Sequence, residues 1–434
     1  MSLHKKPTIY SLSELGLSVN ELEKYAVSIT DRLAKAGFQA YLVGGCVRDL
    51  LLGMHPKDFD VATNAEPEQI QALFKNCRLI GRRFRLAHIH FGRHIIEVAT
   101  FRGPHVKQNK DTSHAHEGGR LLRDNVYGTL EEDAWRRDFT VNALYLDAQN
   151  STVIDYVGGI QDHRAKVLRL MGDPVTRFKE DPVRLIRAVR FKAKLGFQLE
   201  AKTEAPMQKL APLLKDIPSA RLYDEILKLF LNIHANQVFE NLQQYGLFKA
   251  LFPQTELCLQ NANSDEPLAL IKRAMDNTES RLKNHQRITP YFLLATLLWE
   301  PVRRLSEKYR ASLNSDTQAI HAAANEVVAH QIGLIAIPKR ITAPMREVWA
   351  LQPRFHKQVG VRCLRFLEHP RFRAAYDFML LRSQHGEVDP AIADWWTHIQ
   401  TLDPTEQKLM TRPNQFKQKK KSRSKTSDAK SHTE

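Results

Sequence analysis

Two aspartates separated by one residue, Asp58 and Asp60, are the residues of this chain best suited to do chemistry. Segment 57–62 predicts a β-strand, in which side chains at positions i and i+2 leave on the same face. Both carboxylates then point one way, while Phe59 packs on the opposite face. Two adjacent carboxylates repel each other and need a cation between them. The alternative interpretation is a solvated strand end with no chemical role.

Two glycines, Gly44 and Gly45, lie between a predicted buried strand at 39–43 and a short predicted helix at 46–52. Without a Cβ, the backbone can approach an anion closely, and the N–H groups at the helix start point towards it. Arg48, one turn into the helix, adds a guanidinium to the same phosphates. A phosphate cradle beside a carboxylate pair is what Mg²⁺-dependent nucleotidyl transfer needs, because the metal bridges carboxylate and phosphate oxygens.

The run GGCVRDLLLGMHPKDFDVAT at 44–63 resembles the signature of one branch of the nucleotidyltransferase superfamily. That branch holds bacterial tRNA CCA-adding enzymes and bacterial poly(A) polymerases. The resemblance implies a third carboxylate from a neighbouring strand, which we assign to Glu97. An acid in an apolar strand is costly unless it faces solvent, is paired or ligates metal. We therefore expect Asp58, Asp60 and Glu97 to hold two Mg²⁺ ions, for which Mn²⁺ can substitute.

A second element of the same family is matched at 136–143, which reads RRDFTVNA. In the family pattern, RRDFT-x-NA, the arginine contacts the nucleotide and the aspartate helps to position its ribose. The resemblance implies that Arg137 binds the nucleotide and that Asp138 is a catalytic residue. The alternative is an internal salt bridge that caps the sheet.

Segment 180–191 carries one aspartate and three arginines at intervals of three, which places them on one slowly drifting stripe of a helix. A carboxylate acceptor and guanidinium donors can read the Watson–Crick edge of a base without a template. The stretch resembles the base-selecting helix of the family, ED-x-x-R-x-x-R. That resemblance implies Asp181 and Arg184 as base readers, with Arg187 and Arg190 behind them. The alternative is an amphipathic helix with a solvated basic face.

A formal net charge of +16 over 434 residues indicates a polyanionic partner, and we favour nucleic acid over a surface that is basic only for solubility. The four cysteines have no C-x-x-C spacing, which argues against a zinc site or a disulfide framework. No window approaches the ~20 apolar residues of a membrane span, and the first residues lack the apolar run of a signal peptide. We expect a cytoplasmic protein.

The segment patterns and the resemblance together imply an α+β fold, namely a nucleotidyltransferase head with a small mixed β-sheet and flanking helices, followed by all-α neck and C-terminal domains. Helical spacing prevails after residue 173, whereas 103–120 is a polar stretch that predicts a mobile loop. The predicted division is an N-terminal segment with one helix at 1–36, the catalytic head at 37–172, a base-selecting and RNA-binding neck at 173–260, an arginine-rich helical domain at 261–410 and a disordered basic tail at 411–434.

Segment 79–89, LIGRRFRLAHI, resembles the stretch that marks bacterial poly(A) polymerases. His88 and His90 share one face of the predicted strand there, and we interpret them as ordinary surface residues and not as a zinc site. The implied reaction is attack of an RNA 3′-hydroxyl on the α-phosphate of ATP, with release of pyrophosphate. We expect ATP and RNA 3′ ends as partners, RNA-decay or RNA-chaperone proteins as further candidates, and a monomer. The alternatives are CCA addition to tRNA and, in another class, a non-catalytic RNA-binding protein.

Overall fold

The computed structural model describes residues 6–81, 85–103 and 126–412. Within it the chain divides into two compact units, 1–214 and 215–434. The centre of the GRRF segment, most of the predicted loop at 103–120 and nearly all of the basic tail lie outside the described residues. The five-part division stays a prediction.

The first unit is built on a mixed sheet of eight strands in the order β1-β8-β7-β2-β3-β6-β5-β4. Its strands are β1 (Thr8–Ser11), β2 (Ala40–Val43), β3 (Asp60–Thr63), β4 (Cys77–Ile80), β5 (Leu86–Phe91), β6 (His94–Thr100), β7 (Leu144–Asp147) and β8 (Thr152–Asp155). Neighbouring strands are antiparallel, except that β3 and β6 run parallel. Two further short strands, β9 (Val167–Leu168) and β10 (Gln198–Leu199), pair with each other in parallel.

Helices accompany both this sheet and the segment that follows it. They are α1 (Lys24–Lys35), α2 (Gly45–Leu51), α3 (Pro67–Leu73), α4 (Leu130–Arg136), α5 (Gly159–Arg164), α6 (Pro174–Glu180), α7 (Val183–Leu195), α8 (Ala201–Glu204) and α9 (Met207–Leu210), with 3₁₀ turns at Val19–Glu21, Thr140–Asn142 and Ala211–Asp216. The mixed sheet with flanking helices confirms the predicted α+β class.

Both faces of the sheet are covered, because alternate residues of its strands point in opposite directions. Leu42 and Val61 belong to the larger core cluster, which also includes residues of α1 and α2. Their chain neighbours Val43 and Ala62 belong to a second cluster with Ala134 of α4. Burial of apolar area on the two faces, at ~25 cal/mol per Å², holds the layers together.

The base-selecting stretch does not form the single helix that its spacing predicted. Helix α6 ends at Glu180, Asp181 is extended (φ −145°, ψ 93°), and α7 begins at Val183. Pro182 explains the break, because a proline disfavours helical dihedrals in the residue before it. Asp181 therefore lies at the junction of two helices, and only Arg184, Arg187 and Arg190 share α7.

The second unit is helical throughout its described part. Its helices are α10 (Ser219–Phe230), α11 (Ala235–Gln244), α12 (Leu247–Leu251), α13 (Pro253–Gln260), α14 (Glu266–Lys283), α15 (Pro290–Leu297), α16 (Trp299–Arg310), α17 (Asp316–Leu334), α18 (Lys339–Ala350), α19 (Val361–Leu367), α20 (Phe372–Gln384), α21 (Pro390–Ile399) and α22 (Pro404–Met410), with a 3₁₀ turn at Gln352–His356. One buried cluster includes Phe355, Phe366 and Trp396. Among the described residues, no helix combines the length and apolarity that crossing a bilayer demands.

Candidate active site

The two predicted metal-binding aspartates lie at the start of the central strand β3. The strand begins at Asp60 and not at residue 57, so Asp58 precedes it and is not held by strand geometry. Both aspartates are exposed, whereas Phe59 between them is only 8% exposed. The inward packing of Phe59 is as the alternation predicted, but the shared direction of the two carboxylates does not follow from a continuous strand.

Pairing in the sheet sets Asp60 next to Glu97. Asp60 is in register with Val43 of β2 on one side and with Glu97 of β6 on the other. Side chains in register share a face, so Asp60 and Glu97 leave on the face that α4 covers. The long-range pairing thus brings the third predicted carboxylate to the second.

Burial and neighbouring negative charge both change the pKa of Asp60. Partial burial, followed by the charge of Glu97 and more weakly that of Asp58, raises the pKa of Asp60 to about 6, although Arg137 acts in the opposite direction. A carboxylate with a raised pKa is one whose ionised form lacks compensation. A divalent cation at this position would supply it.

The donor set fits Mg²⁺, because Asp58, Asp60 and Glu97 offer only carboxylate oxygens. Among the described residues, no three His, Cys, Asp or Glu side chains converge closely enough to enclose a metal ion by themselves. Mg²⁺ does not require such an enclosure, since it binds through one or two carboxylates and completes its octahedron with water and substrate phosphates. The residues therefore suit a metal that arrives with a nucleotide.

His88 is a site residue that the sequence interpretation dismissed. It stands in register with Glu97, and its Nε2 lies 3.3 Å from Glu97 Oε1. The His88 side chain is 18% exposed, so it is not the ordinary surface residue that the alternation suggested. The hairpin of β5 and β6 carries this contact: its tight turn pairs Phe91 with His94 and therefore His88 with Glu97, so the register of the hairpin is the sequence signal that could have found it.

The glycine turn is present where the sequence predicted it. Gly44 has φ +80° and ψ −127°, a conformation that excludes side chains, and α2 begins at Gly45. A Cβ on Gly44 would lie 3.4 Å from Arg137 Nη1. The open backbone of the turn therefore faces the arginine that was predicted to bind the nucleotide.

Arg137 is held by two residues that the sequence did not single out. Its Nη2 donates to Asp133 Oδ2 at 2.9 Å, and its Nε donates to the Tyr145 hydroxyl at 3.0 Å. Tyr145 in turn donates to Asp133 Oδ2 at 2.6 Å. Burial opposes the charge of Arg137, but Tyr145 and Asp133 raise its pKa above the ordinary value. The arginine is thus a fixed, permanent cation.

Asp60, Glu97 and Arg137 line one cavity of about 310 Å³. Its lining includes carboxylates and guanidiniums together, namely Asp60, Glu97, Asp133, Arg102, Arg136 and Arg137. A site with acidic groups at one wall and cations at another can hold a metal ion and an anionic ligand side by side.

Arg48 is placed differently from the prediction. Its guanidinium is 3% exposed and donates to Asp49 Oδ1 through Nε (2.8 Å) and Nη2 (2.6 Å) and to Asn142 Oδ1 through Nη1 (2.6 Å). Its carbon lies 5.0 Å from the centre of the Phe191 ring. Arg48 therefore fastens α2 to its neighbours and does not reach for phosphates, because its charge is compensated inside the protein.

Asp138 and Arg187 form an ion pair between the RRDFT element and α7, in which two guanidinium nitrogens converge on one carboxylate oxygen. Arg187 donates to Asp138 Oδ2 from Nε (2.6 Å) and approaches it with Nη2 (2.5 Å). Asp138 Oδ1 accepts from the Phe139 backbone N–H at 2.8 Å and from Asn142 Nδ2 at 3.0 Å. Burial would raise the pKa of Asp138, but Arg187, Asn142 and the Phe139 N–H together lower it to about 2.

The remaining predicted base readers lie at the start of α7. Arg184 is 8% exposed, and its Nη1 donates to the Arg177 carbonyl (2.6 Å) and to Glu180 Oε2 (3.1 Å). Arg177 Nη2 donates to the backbone carbonyls of residues 136 and 137, both at 2.7 Å. Arg177 was not predicted, yet it ties α6 to the end of α4. The role of Asp181 and Arg184 in base selection stays a prediction.

Arg187 and Arg190 both contact Phe191. Their guanidinium carbons lie 5.3 and 5.1 Å from the centre of its ring. The guanidinium of Arg48 contacts the same ring. Aromatic faces attract cations, so Phe191 gathers three positive charges near the Asp138 ion pair.

Three family descriptions match successive parts of the chain. Residues 40–169 match the "Poly A polymerase head domain", residues 196–259 the "Probable RNA and SrmB- binding site of polymerase A", and residues 313–430 the "Polymerase A arginine-rich C-terminus". The matched ranges extend over both compact units.

Individual proteins give the same result. The chain is 46% identical to Poly(A) polymerase I of Salmonella typhimurium over 409 residues, which is 93% of this chain and 88% of that protein. It is 38% identical to the CCA-adding enzyme of Lactobacillus helveticus over 216 residues, 50% of this chain and 52% of that one. A solved CCA-adding enzyme in its apo form II shares the fold, with a TM-score of 0.62 at 20% identity over 90% of this chain and 87% of that structure.

Proposed function

The chain belongs to the bacterial poly(A) polymerase family, and on that basis we propose how its site performs the reaction. The protein is a polynucleotide adenylyltransferase, which adds AMP from ATP to RNA 3′ ends with release of pyrophosphate. The observation that carries our proposal for the site is the register of Asp60 with Glu97 beside the Gly44 turn and Arg137. This arrangement offers carboxylates to a metal and cationic donors to a phosphate in one cavity.

Asp60 and Glu97, with Asp58 beside them, would hold Mg²⁺, and Mn²⁺ would substitute for it. When bound, the metal supplies charge neutralisation at the phosphate oxygens that attack and leave. The raised pKa of Asp60 supports this assignment, because burial and the charge of Glu97 both disfavour the ionised carboxylate, which a bound cation would stabilise.

The triphosphate of ATP would rest against Gly44 and Gly45. A backbone without Cβ allows N–H groups to approach phosphate oxygens directly. Arg137 Nη1 faces the same turn and would donate to the phosphates from the other side. The Asp133 and Tyr145 contacts keep that guanidinium in place, so it need not reorganise when ATP binds.

Asp138 would act as a positioning residue. Its two oxygens already take part in four close contacts, with the Phe139 N–H, Asn142 and Arg187, so a direct bond to ribose would have to displace one of them. We assign contact with the nucleotide to four other residues, namely Arg187 and Arg190 on α7, and Asp181 and Arg184 at its start. Arg48 would support the glycine turn through Asp49 and Asn142.

RNA would be bound largely through positive charge, of which the sequence has an excess of +16. A cytoplasmic location, a monomeric state and contacts with RNA-decay or RNA-chaperone proteins stay proposals. CCA addition is the competing activity. It is the less favoured one, because the CCA-adding enzyme quoted above matches only about half of the chain.

Incorporation assays with each nucleotide separately test the function. The purified protein is given Mg²⁺ and either an unrelated RNA or a tRNA without its CCA end. We expect long adenylate tails on both RNAs from ATP alone. A reaction that needs CTP and stops after CCA would establish the competing activity, and no incorporation from any nucleotide would indicate a protein that only binds RNA.

A further inference from the structure

The second unit contains two large cavities that differ in charge. The larger one, of about 610 Å³, is lined by four arginines and five carboxylates. These arginines are committed to acids, as in the pairs of Arg303 with Glu300 (2.7 Å) and Arg310 with Asp316 (2.8 Å). Its charges therefore serve the internal packing of the unit, and the cavity has no excess of positive charge with which to attract a polyanion.

The other cavity, of about 520 Å³, is lined by residues of α14, α15 and α20 and by the segment that joins α14 to α15. Three arginines line it, Arg281, Arg287 and Arg373, and all three are exposed. Asp377 is the one carboxylate among the described lining residues, and Arg373 Nε contacts it at 3.0 Å. Arg281 and Arg287 are thus left as a local excess of positive charge.

Aromatic rings line the same cavity as these arginines. Tyr291 and Phe292 are half-buried, and the buried side chains of Leu293 and Leu381 are also part of the lining. The Arg371 guanidinium lies 5.6 Å from the centre of the Tyr291 ring. Asn277 and Gln384 add exposed side-chain amides to the lining.

One class of ligand matches a cavity lined by aromatic rings, arginines and side-chain amides. Bases of single-stranded RNA stack on aromatic rings, their edges bond to amides, and the phosphates between them pair with arginines. A volume of about 520 Å³ is within the range of small-ligand pockets, about 300 to 1,000 Å³. An apolar protein segment would have no use for the arginines.

We propose that this cavity is a second RNA-binding site, which takes a nucleotide of single-stranded RNA away from the catalytic cavity. The base stacks on Tyr291, and the adjoining phosphates pair with Arg281 and Arg287. The inference rests on the proposed function only in taking RNA as the substrate.

Affinity for a fluorescent oligoadenylate of about 20 nucleotides, measured by anisotropy without ATP, tests the stacking contact. Tyr291→Leu keeps an apolar side chain but loses the ring, and we expect about 5- to 100-fold weaker binding, the range for one base–aromatic stack. Tyr291→Phe keeps the ring and should bind within about twofold of the wild type.

The salt dependence of the same affinity tests the phosphate contact. Arg287→Ala should reduce the slope of log affinity against log salt by about 0.7, the value for one phosphate contact on a single strand. Arg310→Ala, at the larger cavity, is the matched control and should change neither slope nor affinity. Thermal unfolding establishes that each variant is folded.

The proposal is overturned if folded Tyr291→Leu and Arg287→Ala bind RNA as the wild type does. In that case the cavity serves something other than RNA, while the catalytic assignment stands if the wild type adds AMP. If the wild type binds RNA but adds no AMP, the proposed function fails and the binding site is judged on its own affinities.

Discussion

Asp60 and Glu97 occupy paired positions on adjacent parallel strands, although 36 other residues separate them in the chain. Burial of Asp60, together with repulsion from the neighbouring carboxylate of Glu97, raises its pKa to about 6. Perturbed pKa values cluster at functional sites, and Asp60 and Glu97 share their cavity with Arg137. A divalent ion bound between the two carboxylates would relieve their repulsion.

Asp60→Asn should abolish AMP incorporation and yet raise the melting temperature of the metal-free protein at neutral pH. A carboxylate whose folded pKa is raised contributes its stability below the unfolded value of 3.8 and loses it as the pH rises through about 6. The amide removes that loss. Scanning calorimetry from acidic to neutral pH should show the gain of the variant appearing across this window.

Asp394→Asn, an exposed aspartate of the second unit, is the matched control and should alter neither activity nor stability. Added Mg²⁺ should raise the melting temperature of the wild type more than that of Asp60→Asn. Equal responses of the two proteins to Mg²⁺ would contradict the assignment of Asp60 as a metal ligand.

Asp138→Asn should destabilise the protein by about 2 kcal/mol at neutral pH, because it breaks the buried pair with Arg187. The folded pKa of Asp138, about 2, is below its ordinary value of 3.8, so the pair contributes above pH 3.8 and is lost as the pH falls towards 2. Urea unfolding at several pH values should show wild type and variant converging in acid.

Arg187→Lys separates the charge of this pair from its geometry. Lysine keeps the positive charge but cannot place two nitrogens at Asp138 Oδ2 as the guanidinium does. We expect an intermediate loss of stability and a KM for ATP raised by about tenfold. A variant with wild-type KM would mean that Arg187 only supports the fold.

Gly44→Ala should raise the KM for ATP by more than about tenfold and lower the melting temperature. The backbone dihedrals of Gly44 are closed to alanine, and the new methyl would face Arg137 at 3.4 Å. Gly53→Ala is the matched control, since Gly53 also has a positive φ (+68°) but open space around it. It should lose some stability with little change in KM, and equal effects on KM would reduce Gly44 to a folding role.

His88→Ala should weaken the apparent affinity for Mg²⁺ by about tenfold, with most of the rate restored at high Mg²⁺. Its Nε2 contacts Glu97, and partners of this kind orient metal ligands. His94→Ala, an exposed histidine of the same sheet, should leave the Mg²⁺ dependence unchanged. Rate measurements across a Mg²⁺ titration decide the matter, and a loss that Mg²⁺ does not restore would contradict the orienting role.

Two features of the candidate site followed from local patterns. The Gly44 turn needs a residue without a side chain, and the burial of Phe59 follows from its alternation with two acids. The order of helices and strands, and hence the α+β class, also follows from short-range periodicity. These signals lie within a few residues of each other, where backbone sterics act.

Tertiary structure alone decided which distant groups meet. The register of Asp60 with Glu97, the bond from Arg48 to Asn142 and the ion pair of Asp138 with Arg187 each join segments far apart in sequence. Pro182 is a local signal that α6 and α7 are separate helices. No such local signal indicates which residues their arginines contact. The physical reason is that register and packing depend on the free energy of the whole sheet and its helices, which no single motif contains.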